Sequence, residues 1–178
     1  MEKRIHPKVM KKILLSFAFL MVATLSAQTE LDLITAVNLD SLSQTVREFT
    51  GEVSTSVGGN SVTILNREEA NNDLAGDYLV ERFNAMDNLN VNDQAFNTNG
   101  RNIIATQLGK TNPNDIYIIC AHYDSVDDYC ADDNASGTAT VLEIARILST
   151  QCMDNTIIYA LWDEEEIGLR GASFYATQ

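Results

Sequence analysis

Hydrophobic positions in the second half of the chain fall into short, dense runs, while those in the first half recur at helical spacing. Leu42, Val46 and Phe49 share one side of a helical pattern over residues 30–50. Over 68–86, Leu74, Ala75, Tyr78, Leu79, Phe83 and Met86 share a face and the acidic residues take the other. That spacing predicts an amphipathic helix. Between them, Gly51 to Ser61 is rich in Gly, Ser and Thr and reads as a loop. A weak strand is expected around Val91 to Phe96. Ile103 to Thr106 predicts a strand ended by Gly109, and Pro113-Asn114-Asp115 predicts a turn. Ile116 to Ala121 is nearly all apolar, as in a strand covered on both faces. A helix over 134–149 leaves only Thr140, Glu143 and Arg146 as a narrow polar face, so it should be buried. Thr156 to Trp162 reads as a second buried strand, with a loop and short helix from Gly168 to Gln178. This order predicts an α/β sheet with helices on its faces.

The N-terminus follows a different pattern. Lys3, Arg4, Lys8, Lys11 and Lys12 precede an apolar run from Ile13 to Ala23, then small residues ending at Ser26-Ala27. This is the layout of a secretory signal peptide over 1–27, with 28–178 as the mature part. The bland alternative is an N-terminal core helix. The run is shorter than the ~20 residues of a membrane span. Secretion or a periplasmic location is the expectation, with no membrane attachment after cleavage.

Charge then changes the picture. Lys and Arg number 12 in the chain and 5 in residues 1–27, leaving 7; Asp and Glu number 25 and 1, leaving 24. The difference, 7 − 24, gives the mature part a net charge of −17. Such a surface repels nucleic acid and anionic membrane. Of the three cysteines, Cys120 sits in an apolar run and is expected to be buried. In an exported protein three cysteines allow one disulfide and one spare thiol; sequence leaves the pairing open, with Cys130 and Cys152 the favoured pair. Without C-x-x-C spacing they make no cysteine metal site.

Three segments carry the candidate chemistry. His122 follows the first apolar strand, at the end where sites gather in open α/β sheets. Asp124, two residues on, points to the same side in extended backbone and suits the carboxylate that orients a metal-bound imidazole. Taken alone, the pair reads rather as a surface His in a turn. Asp132-Asp133-Asn134-Ala135-Ser136-Gly137 precedes the buried helix. Asp133, Asn134 or Ser136 can cap that helix, but a cap does not need two adjacent aspartates. A carboxylate there can bind two cations, one on each oxygen. Asp163-Glu164-Glu165-Glu166 follows the second buried strand. Four acids in a row usually form a solvated loop. Beside His122 they would repel one another unless a metal supplied counter-charge.

Together, Ala121-His-Tyr-Asp-Ser125, Ala131-Asp-Asp-Asn-Ala-Ser-Gly137 and Glu165-Glu-Ile-Gly-Leu-Arg-Gly171 resemble the family-28 zinc metallopeptidases, of the bacterial leucyl aminopeptidase type. A weaker likeness runs back through Asn102 and the helix at 68–86. The resemblance implies a three-layer α/β/α domain with a mixed sheet and two Zn2+ ions per complete site. It implies His122, Asp132 and Glu166 as metal ligands, with Asp132 bridging both ions through a cis peptide to Asp133. Glu165 becomes the general base and later the acid, and Asp124 orients His122. The implied reaction is hydrolysis of the N-terminal peptide bond of peptides or proteins by metal-activated water. The family's site also needs a further Asp and a second His downstream. The 12 residues after Glu166 contain neither, so the expectation is an incomplete, N-terminal portion of such an enzyme with little activity of its own. Two other readings remain. One is a non-catalytic scaffold or binding relative. The other is a carboxypeptidase- or glutaminyl-cyclase-type relative of the same fold.

Overall fold

The computed structural model describes residues 30–68 and 72–178. The signal-peptide expectation over 1–27 lies outside the described residues, as do the first positions of the helix expected over 68–86. Among the described residues no helix is long and apolar enough to cross a membrane.

The chain divides into a short N-terminal unit ending at Ala36 and a main unit from Val37 to Gln178. The first contributes helix α1, Glu30–Thr35. The main unit opens with α2, Leu39–Phe49. The single helical pattern expected over 30–50 is therefore two helices. The restart has a local cause: the Asn38 side chain accepts the Ser41 N–H at 3.0 Å, which caps α2. A short antiparallel hairpin follows, β1 (Thr55–Val57) with β2 (Asn60–Val62). The sequence suggested only a loop here. Gly58 and Gly59, both at positive φ, make the tight turn that the polar composition concealed. Helix α3, Asp73–Asn84, buries Ala75, Tyr78, Leu79 and Phe83, the face its spacing predicted.

The main sheet has the order β3-β4-β6-β5, where β3 is Asn90–Ala95, β4 Arg101–Gln107, β5 Asn112–His122 and β6 Asn155–Trp162. Strands β3, β4 and β6 run antiparallel in turn, and β5 is parallel to β6. The sheet is thus mixed, as expected. Helix α4, Ser136–Leu148, supplies the crossover between the parallel pair. Along β6, Ile157, Tyr159 and Leu161 enter the main core with α2, α3 and α4, whereas Ile158 and Ala160 face the other side. There they meet Ile104, Trp162 and Tyr175 of α5, Arg170–Ala176. Helices therefore lie on both faces of the sheet.

Three expectations fail at β5. Residues 113–115 form no turn between elements; they bulge within the strand, because Asn112 pairs with Asn155 and Ile116 with Thr156. The strand is not covered on both faces. It lies at the edge of the sheet, and Ile116, Tyr117 and Ile118 are 54 %, 62 % and 48 % exposed. Cys120, on the same open stretch, is exposed rather than buried. Cys130 and Cys152 are free thiols as well, so the expected disulfide is not formed. Helix α4 is largely buried as predicted, but Glu143 of its polar face is buried too. Its carboxylate accepts the Arg146 guanidinium and the Asn38 N–H, and the Arg146 hydrogen bond holds its pKa below the ordinary value.

Candidate metal centre

Parallel pairing of β5 with β6 builds the site. Their register sets His122 beside Trp162, so both strands end together. The Tyr123 N–H donates to the Trp162 carbonyl at 2.9 Å, carrying the alignment one residue further. The segments that follow, Tyr123-Asp124 and Asp163 to Glu166, therefore meet at the carboxyl end of the sheet. The Thr138 hydroxyl of α4 donates to the His122 carbonyl at 3.0 Å and ties the third segment to the same place.

His122 lies at the centre. Its Nε2 is 3.0 Å from Asp133 Oδ1 and 3.9 Å from Glu165 Oε2. Its Nδ1 faces Asp124 Oδ1 at 3.4 Å. Asp124 is buried, and its second oxygen accepts the Glu166 N–H at 3.1 Å, so one carboxylate links the ends of β5 and β6. Potential ligand atoms of His122, Glu165 and Glu166 all lie within 4.8 Å of one another. Four buried side-chain atoms find no hydrogen-bond partner among the described residues: Asn72 Oδ1 and, in this cluster, His122 Nδ1, Asp124 Oδ1 and Glu166 Oε1. His122 Nδ1 and Asp124 Oδ1 face each other across 3.4 Å, a long polar contact. Glu166 Oε1 has no such neighbour. A buried carboxylate oxygen without a donor is costly, and a cation removes the cost. The donor set of one imidazole and several carboxylates suits zinc.

The aspartate that the structure brings to His122 is Asp133, one residue on from the expected Asp132. Asp132 enters through its carbonyl, which accepts the Ser136 hydroxyl at 2.9 Å. The carboxylate that meets His122 belongs to Asp133. Likewise the cis peptide lies between Asp133 and Asn134, not between Asp132 and Asp133. The physical reason is the turn Ala131–Ala135, in which Asp133 and Asn134 leave helical geometry. Asn134 caps α4, its side chain accepting the Gly137 N–H at 2.9 Å. A Cβ at residue 137 would lie 2.2 Å from that Asn134 oxygen, so the cap requires glycine there. With Asn134 turned to the helix, Asp133 is the residue aimed at His122. The cap residue was the signal that could have chosen between the two aspartates.

The four-acid run also divides. Asp163 and Glu164 are buried and belong to the fold. Asp163 accepts from the Arg101 N–H (3.0 Å), the Tyr123 hydroxyl (3.0 Å), the Glu164 N–H (2.8 Å) and the Asn72 amide (2.5 Å). Burial nevertheless pushes its pKa up to about 6, against the pull of those donors. Glu164 accepts both Asn97 amide contacts at 2.8 Å and lies 3.4 Å from Arg170. Only Glu165 and Glu166 turn toward His122. Burial, then the charges of Asp133, Asp124 and Glu165, raise the Glu166 pKa, opposed by His122. Asn72, Asn97, Arg101 and Tyr123 carried no mark in the sequence beyond their polarity.

Burial by itself lowers the His122 pKa. Asp124, through its contact with Nδ1 and its charge, and then Glu165 and Asp133 outweigh it and push the value up to about 9. The sign follows. In metal-free protein a ring with a folded pKa above its ordinary 6.5 contributes stability in full below about 6.5, and that contribution is lost as pH rises through about 9. Metal binding has the opposite dependence, because only the neutral ring can ligate. Zinc affinity is expected to rise about tenfold per pH unit between 6.5 and 8.5, with about one proton released per ion bound at pH 7.5. Calorimetry in buffers of different ionisation enthalpy measures that release. A pH-independent affinity would contradict it.

Residues 102–178 match the model of peptidase family M28. A protein of Leptosphaeria maculans named probable zinc metalloprotease is 43 % identical over 84 residues, which cover 42 % of this chain and 20 % of that protein. An aminopeptidase of Bacillus subtilis is 41 % identical over 81 residues, or 44 % of this chain and 18 % of that protein. The matches to these curated relatives thus span about a fifth of their length. Among solved structures, the LapA aminopeptidase of Legionella pneumophila superposes with a TM-score of 0.66 at 18 % identity, covering 85 % of this chain and 42 % of that one. At that identity the likeness is one of fold.

Proposed function

We propose, from the match of residues 102–178 to peptidase family M28, that the whole protein carrying this chain works as a zinc aminopeptidase exported by residues 1–27 as a signal peptide. The observation that carries the reading is the buried, unpartnered Glu166 carboxylate oxygen beside the His122–Asp133 contact. In this proposal His122, Asp133 and Glu166 would hold the metal. Zinc in such a setting supplies Lewis acidity and brings the pKa of a water to about 7. Asp124 holds the His122 ring through Nδ1 and leaves Nε2 free to ligate. Glu165 accepts the proton of the attacking water and returns it to the nitrogen of the leaving amine. One water is consumed, the C–N bond breaks, and a free amino acid and a shortened peptide result.

The test compares a peptide bearing a free N-terminus with the same peptide acetylated, before and after chelation. Release of the N-terminal residue is expected from the free peptide only. Chelation should reduce the rate by about 100-fold or more, and added zinc should restore it. Equal cleavage of the acetylated peptide, or indifference to chelation, would contradict the reading.

A further inference from the structure

Arg67 lies outside every segment that carries the metal chemistry, yet it is fully buried. Buried arginine is rare unless its charge is paired. Here no carboxylate lies within ion-pairing distance among the described residues, and the guanidinium is met by backbone carbonyls instead. Nε donates to the Tyr123 carbonyl at 2.9 Å. Nη1 donates to Phe49 at 2.8 Å and to Tyr129 at 3.0 Å, and Nη2 to Cys130 at 3.0 Å. The Phe49 ring lies under the guanidinium carbon at 4.9 Å. The Arg67 backbone takes part as well: its N–H donates to Ser125 Oγ at 3.3 Å and its carbonyl accepts the Ser125 N–H at 3.2 Å.

Three of those four carbonyls belong to one loop. It leaves β5 at Tyr123, directly after His122, and ends at Cys130, three residues before Asp133. Tyr129 and Cys130 stand in left-handed backbone, with φ of 67° and 37°, a conformation that a Cβ disfavours. Nothing in their side chains recommends it. The Arg67 fork is what both carbonyls point to.

We propose that Arg67 is a positioning residue for metal binding: its guanidinium fixes the 123–130 loop and thereby sets the spacing between His122 and Asp133. The proposal rests on the metal reading of the site given above. Four of the five N–H donors of the fork are used, in a planar pattern that lysine cannot reproduce. Arg67→Lys keeps the positive charge and removes the fork.

The test uses the full chain with zinc, and with Co2+ as a spectroscopic probe of the same ligands. In R67K the zinc affinity should fall by about 10- to 100-fold, the size typical of residues that orient metal ligands. The Co2+ absorption spectrum at saturation should also change, which a loss of overall stability alone would not produce. Amide exchange at Ser125 and Tyr129 should quicken by at least about tenfold, with β4 and β6 unaffected. His122→Ala is the reference and should lose zinc binding without altering exchange in the loop. If H122A loses zinc but R67K keeps the affinity and spectrum of the parent, the Arg67 proposal is overturned. If H122A binds zinc as the parent does, the metal reading fails instead, and loop exchange in R67K still reports the guanidinium's hold. Should R67K not fold, Ser125→Ala loosens the same loop with the guanidinium in place. A several-fold weaker zinc affinity supports the proposal, and an unchanged one overturns it.

Discussion

Glu165→Gln is expected to lower kcat for peptide hydrolysis by about 10²- to 10⁴-fold, the range that a positioned general base contributes, while bound zinc is retained. Glutamine keeps the shape and hydrogen bonding of the side chain but cannot take a proton. The geometry suits the role. Glu165 sits on the turn closed by the Gly168 and Leu169 N–H groups, which donate to its carbonyl at 3.0 and 2.9 Å. Its Oε2 stands 3.9 Å from His122 Nε2, beside the ligand set and partly open to solvent. A side chain so placed would have the reach of a general base beside a metal held by His122 and Glu166. The outcome separates two roles, because Glu165 also lies close enough to His122 and Glu166 to ligate. Steady-state kinetics with zinc analysis of the same preparation makes the distinction. Loss of zinc together with activity would make Glu165 a ligand and require another base.

The second large effect belongs to the adjacent aspartates. Asp133→Asn should weaken zinc binding by at least about 100-fold, more than the loss of an outer hydrogen-bonding partner. Asp132→Asn should change it by less than about threefold, as for a surface substitution. Asp133 Oδ1 is 3.0 Å from His122 Nε2, and Asn134 between it and the helix is committed to the Gly137 N–H. Asp132 contributes a carbonyl to Ser136. A competition titration against a chromophoric chelator measures both variants side by side. If D132N were the damaging change, the turn at 131–135 would be arranged differently from the structure described here.

The same pair of aspartates marks where reading the chain reached its limit. The two strands that end at the site, the buried helix between them and the chemistry of His122 were legible, because dense apolar runs followed by polar clusters are local signals. Which aspartate faces His122 was not, because the helix itself starts only at Ser136 and the turn before it follows no repeat. The hairpin at 55–62 was missed for a related reason: three-residue strands are too short to show alternation. At β5 the apolar run was read correctly as a strand but wrongly as covered. Composition reports what a strand can bury, and the number of neighbours it has is a property of topology. Asp163 and Glu164 looked like the remainder of an acidic patch, yet long-range donors from Asn72, Asn97, Arg101 and Tyr123 satisfy them. No window of sequence contains those partners. Arg67 is the extreme case, since its role depends on the carbonyls of residues up to 63 positions away.

The most direct measurement is anomalous scattering at the zinc absorption edge from crystals of the protein grown with zinc. A peak is expected about 2.0–2.2 Å from His122 Nε2 and from carboxylate oxygens of Asp133 and Glu166. A peak placed instead on Asp132 or a cysteine, or no peak near His122 at full zinc occupancy elsewhere, would contradict the metal reading.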